Sequence, residues 1–360
     1  MLFALTASPA VAHSAGTLGN VRRLAGQPFR TALMPTLVYV ASAPTNSITA
    51  YASNGSGGAM AVLTLQGPLT GLDGPVGLTF DSEGRLYVVN HGASSSITVY
   101  APFAHGNVAP LRTVAGPQTH LNAGTQPPDY PTGAIAVDLV HNRMFVARVS
   151  QERAPLNGTV LVFPATASGD QAPLTSIGPP TASGPVWTTP GLNFEAGGEL
   201  VVGSNFNACC HGGDGWNYYR ESDLASIGSF VYYANLGLNG LAVAPSTGSI
   251  VAIYDFVLNV WPANITGTGD CYTCSQSQVN APALTLVDPL GVGFTAVAVD
   301  ANDTTWALSG SSALEAFPAG SATPRVITGL VGATAIAFMP SLAAGGPRPF
   351  SGISAVRFSH

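Results

Sequence analysis

The heptapeptide "SITVYAP", residues 96–102, has a near copy at 47–53, "SITAYAS". The later copy follows "GRLYVVNHGAS" and runs into a Gly- and Pro-rich stretch, so it reads as the second strand of a hairpin. Four further segments keep the same order of aliphatic residue, variable or small positions, aromatic, then Ala or Pro. They are "VLVFP" around Phe163, "FVYYA" around Tyr233, "LNVWP" around Trp261 and "LEAFP" around Phe317. A second series is compact and apolar: "GLTFD" 77–81, "AIAVD" 134–138, "GLNFE" 191–195, "GLAVA" 240–244, "AVAVD" 296–300 and "AIAFM" 335–339. Its last residues are separated by 57, 57, 49, 56 and 39 positions. Between the two series lies a third, "LVYVAS", "RLYVVN", "RMFVAR", "ELVVGS", "SIVAIYD" and "TTWALSG". A weaker fourth, "AVLTLQG", "PLRTVAG", "PLTSIG", "ALTLVDP" and "PRVITG", follows the aromatic strand. Self-similarity at such a period means stacked units, each too small to bury a core of its own.

Four short strands per unit joined by turns describe a propeller blade. The Gly/Ala/Val strands suit a crowded hub, and the aromatic strands the wider space between blades. The first unit opens on its second strand, "LVYVAS", and the last ends after an inner strand, "AIAFM", so pairing the two closes the ring. The expected fold is all-β: a six-bladed β-propeller of four-stranded antiparallel blades over 36–340, closed by a C-terminal inner strand. A signal-like leader at 1–12 and an N-terminal extension at 13–35 precede it, and a C-terminal tail at 341–360 follows. A seven-bladed alternative takes "RTALMP" 30–35 as an inner strand and "ISAVRF" 353–358 as its successor.

Composition excludes several classes of function. Only 8% of the 360 residues are charged, and the 12 basic residues are all Arg. Without lysine there is neither Schiff-base chemistry nor a Walker lysine. A net charge of −6 with no basic stripe argues against nucleic acid, whose binding needs clustered Arg and Lys. "MLFALTASPAVAHSAG" carries a brief apolar run and an A-x-A site before His13, the end of a secretory signal. No later apolar run reaches the length of a membrane span. Four cysteines, Cys209, Cys210, Cys271 and Cys274, fit an oxidising compartment, so a secreted or periplasmic monomer is expected. Disulfides are the expected state of these cysteines; "CYTC" also admits zinc or redox chemistry.

The segment "GPVGLTFDSEGRLYVVNHGASSSITVYAP", 74–102, resembles an NHL-type propeller repeat: Pro-x-Gly, an inner strand ending in Asp, a Gly turn, "LYV", then a strand with a late aromatic. The likeness covers roughly 36–340. Relatives of this shape include extracellular binding modules, a peptide-amidating lyase and metal-dependent gluconolactonase-like enzymes, so the resemblance implies architecture and leaves activity open.

Asp81, Asp138, Glu195 and Asp300 each close an inner strand before a tight turn, where a carboxylate caps backbone N–H groups. Chemistry is expected at the opposite, loop-bearing mouth of the channel. There Asn90, His91, Arg148, Asn205, Asn239 and Asp255 are the candidate ligand-binding residues. Asn205, Asn239 and Asp255 supply oxygens suited to a hard cation such as calcium, although no Glu joins them. The insert "SNFNACCHGGDGWNYYRESDLASIGS" offers Trp216 and Tyr219 as recognition aromatics on a free loop. Alternatively "WNYYRE", rather than "FVYYA", is the third strand of blade four. No H-E-x-x-H, G-x-S-x-G or G-x-G-x-x-G motif with the required context is present. The first expectation is a binding or scaffold module for a protein, peptide or glycan, with no cofactor. The second is a metal-dependent hydrolase or lyase of the gluconolactonase-like kind.

Overall fold

The computed structural model describes residues 36–121, 131–148, 160–178, 187–195, 197–206, 213–232, 238–266, 282–339 and 353–354, a few of them at strand ends by backbone alone. Alternating apolar residues and Gly/Asn/Asp turns fold this chain into six blades without an α-helix among the described residues. Blade one is β1 (Leu37–Ser42), β2 (Ser47–Ala52) and β3 (Leu63–Gln66) plus a late inner strand described below. Blade two is β4 (Pro75–Phe80), β5 (Leu86–His91), β6 (Ser95–Tyr100) and β7 (Arg112–Val114). Blade three is β8 (Pro131–Asp138), β9 (Arg143–Arg148), β10 (Val160–Pro164) and β11 (Thr175–Ile177). A short β12 (Trp187–Thr188) leads into blade four, β13 (Gly191–Phe194), β14 (Leu200–Phe206), β15 (Gly213–Tyr219) and β16 (Ser226–Tyr232). Blade five is β17 (Gly240–Val243), β18 (Ile250–Tyr254), β19 (Val257–Trp261) and β20 (Leu284–Val287). Blade six is β21 (Phe294–Val299), β22 (Thr305–Ser309), β23 (Ala313–Phe317) and β24 (Arg325–Thr328). The chain then runs into β25 (Ala333–Phe338), which pairs antiparallel with β1 from Val38↔Phe338 to Ala41↔Ala335. This is the closure that the strand order requires, and it leaves six blades.

The tail behaves otherwise than the seven-bladed alternative supposes. β26 (Ile353–Ser354) pairs with β13 of blade four, Gly191↔Ser354 and Leu192↔Ile353, and touches the inner strand of every blade. It therefore sits within the hub. The first half of that alternative, 30–35, lies outside the described residues.

Blade four also settles the strand order of the insert. "GDGWNYY" is its third strand and "SIGSFVY" its fourth, so the aromatic repeat position belongs to Tyr219 and not to Tyr233. Two aromatic runs compete for that slot, and the hairpin register selects the earlier one.

The buried apolar side chains form six clusters, one in each space between neighbouring blades. Period-2 alternation lets each strand feed two of them. In β15, for example, Trp216 and Tyr218 pack towards blade five while Tyr219 packs towards blade three. At the hub the inner strands approach backbone to backbone. A Cβ on Gly77 would collide with the carbonyl of Gly133, itself at φ 91°, which only glycine takes up without strain.

Closure can be tested by two truncations followed by thermal melts. Removing 333–360 takes away β25 and exposes the hub side of β1, and the melt should lose its cooperative transition. Removing 340–360 takes away only the hub strand β26, and a cooperative transition should survive at lower temperature.

Candidate functional site

The end of the ring at which the chain enters the inner strands is stitched from blade to blade by its loops. Asp288 N–H donates to Phe256 O (2.9 Å), Phe294 N–H to Asp255 O (2.8 Å) and Gly310 N–H to Gly293 O (2.8 Å). Ala333 N–H donates to Ser311 O (2.9 Å) and Ser42 Oγ to Val331 O (2.7 Å). Gly74 N–H reaches Asn46 Oδ1 (2.7 Å), and Ala93 N–H reaches Asp73 Oδ2 (2.8 Å). The belt thus runs from blade five through six and one to two. Four large apolar side chains stand exposed on it: Phe256, Leu290, Val292 and Val331, between 48% and 67% accessible.

The candidates taken from sequence are distributed differently. Asn90 is fully buried. Its Oδ1 accepts from Asp73 N–H (3.1 Å) and its Nδ2 donates to Ser96 (3.3 Å) and Thr98 (3.1 Å), so it supports the β5–β6 hairpin. His91, beside it, is half-buried, and burial lowers its pKa, which favours the neutral ring. Arg148, opposite Pro131 in the β8–β9 pairing, is also buried. Asn239 and Asp255 do meet, the amide donating to Asp255 Oδ1 at 3.1 Å, but both belong to blade five. Asn205 pairs with Thr188 and Asp214 in register, and its side chain lies outside what is described. Cys209, Cys210, Cys271 and Cys274 also lie outside the described residues.

Trp216 and Tyr219 are a correction: neither stands on a free loop. Trp216 stacks on Phe230 (centroids 4.5 Å), meets Trp261 edge-on (5.4 Å) and donates its Nε1–H to Tyr218 Oη (2.9 Å). Tyr219 Oη–H donates to Gly178 O (2.5 Å), and burial pushes its pKa up to about 12. These rings are blade packing because the insert supplies a strand that the repeat needs. Replacing Trp216 by Ala should cost about 3–5 kcal/mol in urea unfolding. Trp216→Phe should recover a large part of the loss.

Asp81, Asp138 and Asp300 are turn caps, as their positions imply, whereas the Glu195 carboxylate reaches across to blade five. Asp81 accepts from Glu83 N–H and Arg85 N–H, Asp138 from Val140 N–H and His141 N–H, and Asp300 from Asn302 N–H and Thr304 N–H. Glu195 accepts from Asn264 N–H at 3.4 Å.

One group was missed from sequence. Two residues before the aromatic, the third strands carry Thr49, Thr98, Leu161, Asn217, Asn259 and Glu315. Blade six therefore places a carboxyl where its sister blades place a neutral side chain. Glu315 is fully enclosed beside Asp288 and Ser309. Burial first, and then the charge of Asp288, pushes its pKa up to about 8. Asp288 lies below the usual range: burial opposes its charge, but the Gly293 and Leu290 amides and the Ser309 hydroxyl outweigh it. Neither carboxyl oxygen of Glu315 has a hydrogen-bond partner, and its raised pKa favours the protonated form at neutral pH.

An acid whose pKa rises on folding weakens the fold as pH climbs. Between the ordinary 4.5 and about 8 only the folded state keeps the proton, so unfolding releases it and stability falls across that window. Glu315→Gln keeps a donor towards Asp288 and removes the ionisation. It should flatten the fall and add on the order of 2 kcal/mol at the alkaline end in urea unfolding, with little gain in acid.

No family model matches the chain, and neither does any curated protein. Solved structures are similar in fold. A 6-phosphogluconolactonase candidate from Bacteroides fragilis is 11% identical with a TM-score of 0.50, the match covering 87% of this chain and all of that one. A protein of unknown function from Bacteroides caccae is 10% identical with a TM-score of 0.48, over 85% of this chain and all of that one. A Lactobacillus plantarum protein is 12% identical with a TM-score of 0.47, over 82% of each chain. At these identities the likeness bears on the fold alone.

Proposed function

We propose that this propeller is a binding module that holds a protein or peptide on its loop face, acting outside the cytoplasm in a secreted or periplasmic setting. The observation that carries the reading is the exposed apolar row Phe256, Leu290, Val292 and Val331 on loops that are hydrogen-bonded to one another. A preformed apolar surface lowers the ordering cost of association, and apolar contacts suit a polypeptide better than a glycan. The polar candidates at the mouth support the scaffold role: Asn90 spends its amide on its own hairpin, and Asn239 binds Asp255. The NHL-type repeat and its extracellular binding modules fit this reading.

The test is a capture experiment with the full chain and proteins from its own source, run beside a lactone-hydrolysis assay. The wild type should retain a partner that Phe256→Ser/Leu290→Ser/Val331→Ser loses, with unchanged melting of the variant. Lactone hydrolysis above the uncatalysed rate, unaffected by the triple change, would overturn the reading in favour of a gluconolactonase-like enzyme.

A further inference from the structure

The turns that follow the inner strands are built alike in blades two and six and differently in blade three. In blade two, Asp81 has its second oxygen satisfied by Arg85 Nε–H (2.6 Å) and Tyr87 Oη–H (3.0 Å). In blade six, Trp306 Nε1–H does the same for Asp300 (3.0 Å). Tyr87 and Trp306 occupy the same register, opposite Thr79 and Ala298, two residues before the acid. The equivalent residue in blade three, opposite Ala136, is Phe145, which has no donor. The turn is also one residue longer, "DLVHNR" against "DSEGR" and "DANDT". That longer turn carries His141.

Instead of a ring donor from the second strand, the second oxygen of Asp138 takes the His141 N–H (3.1 Å) and meets the His141 imidazole, beside which stands an acid from the next blade. His141 Nδ1 lies 2.7 Å from Asp138 Oδ2 and 3.3 Å from Glu221 Oε1, and the three donor atoms all fall within 4.8 Å of one another. No other group of three His, Cys, Asp or Glu donors converges this way among the described residues. Glu221 comes from the β15–β16 turn of blade four, and Arg143 fixes that turn by donating to the carbonyls of Glu221 and Ser222. The carboxylates are largely covered, at 4% and 13% side-chain exposure, while the imidazole is 33% exposed, so the site is open from its histidine side.

One imidazole nitrogen and two carboxylate oxygens form the donor set of a borderline divalent cation; the 3.3 Å pair has the spacing of two ligands on one ion at about 2.0–2.2 Å, and the 2.7 Å His141–Asp138 hydrogen bond has to open by roughly half an ångström to admit it. We propose that Asp138, His141 and Glu221 bind a zinc-class divalent cation that clamps blade three to blade four on the face opposite the loop belt. Two carboxylates from different blades repel at this distance, and a dication between them turns that repulsion into a cross-link. The exposed side leaves room for water as a fourth ligand.

Chelator-treated, dialysed full-length protein titrated calorimetrically with zinc ion alone tests the site. The wild type should bind one equivalent more than His141→Ala and than Glu221→Gln, or bind it at least tenfold more tightly. Its melting temperature should rise on zinc addition and theirs should not. Glu221→Gln keeps a donor towards Asp138, so it remains informative if His141→Ala does not fold. Equal zinc uptake by wild type and both variants, or none by the wild type, would overturn the proposal.

Discussion

The structure depends on one antiparallel pairing, β25 against β1, which joins residues almost three hundred positions apart. Until it forms, blade one lacks its inner strand, and blade six has no neighbour to cover the face carrying Trp306, Leu314 and Ile327. Each blade buries its apolar residues only against the next, so the six clusters form a closed circuit whose ends meet at this strand pair. Closing so long a loop costs entropy that grows only slowly with length, while the two adjoining interfaces gain their full apolar burial. The close approach of Gly77 to Gly133 where β4 meets β8 fits the same closure, because six inner strands around one axis leave little room at the hub.

Most of this architecture was legible because a propeller repeats its solution. Inner strands ending in Asp, "LYV"-type second strands and aromatic third strands recur at spacings that survive sequence drift. Blade four hid its third strand because the insert brings two aromatic runs, and only hairpin register separates Tyr219 from Tyr233. The site was less legible for a different physical reason. Asn90 and Arg148 read as mouth residues from their place at strand ends, but polar residues there turn inward to satisfy neighbouring groups. The letter Glu315 is plain in "LEAFP", whereas its raised pKa depends on burial first and then on Asp288, brought in from the preceding connection. Contacts between blades, such as Asp138 with Glu221, have no signature within either repeat.

The two ends of the ring consequently carry different chemistry. At the loop end, hydrogen bonds run from blade five to blade two, through backbone groups as far as blade one and through Asn46 Oδ1 from there, and apolar side chains stand exposed on that frame. At the opposite end the hairpin turns are short, their acids are occupied by capping, and charges pair locally, as Arg85 does with Asp81 and Glu83. Exposed apolar side chains thus mark the first end, and paired or capped charges the second. Within the hub between them, β26 meets the inner strand of every blade.

In a repeat protein the departures from the repeat are more informative than the repeat itself. Tyr87 and Trp306 show what a blade does when its turn acid needs only a structural partner. Phe145, at the same register, shows a blade that forgoes that partner, and a longer turn with His141 together with the Glu221 turn of the next blade fills the gap. Glu315 is a departure of the opposite kind, a charge-bearing group added where the other third strands are neutral, enclosed so fully that it keeps its proton. The first is open to solvent and offers nitrogen and oxygen donors, so a ligand can reach it. The second is closed and offers a pH-dependent cost to the fold. Accessibility, and not the presence of ionisable residues, separates a cluster that a ligand can reach from a buried liability in this ring.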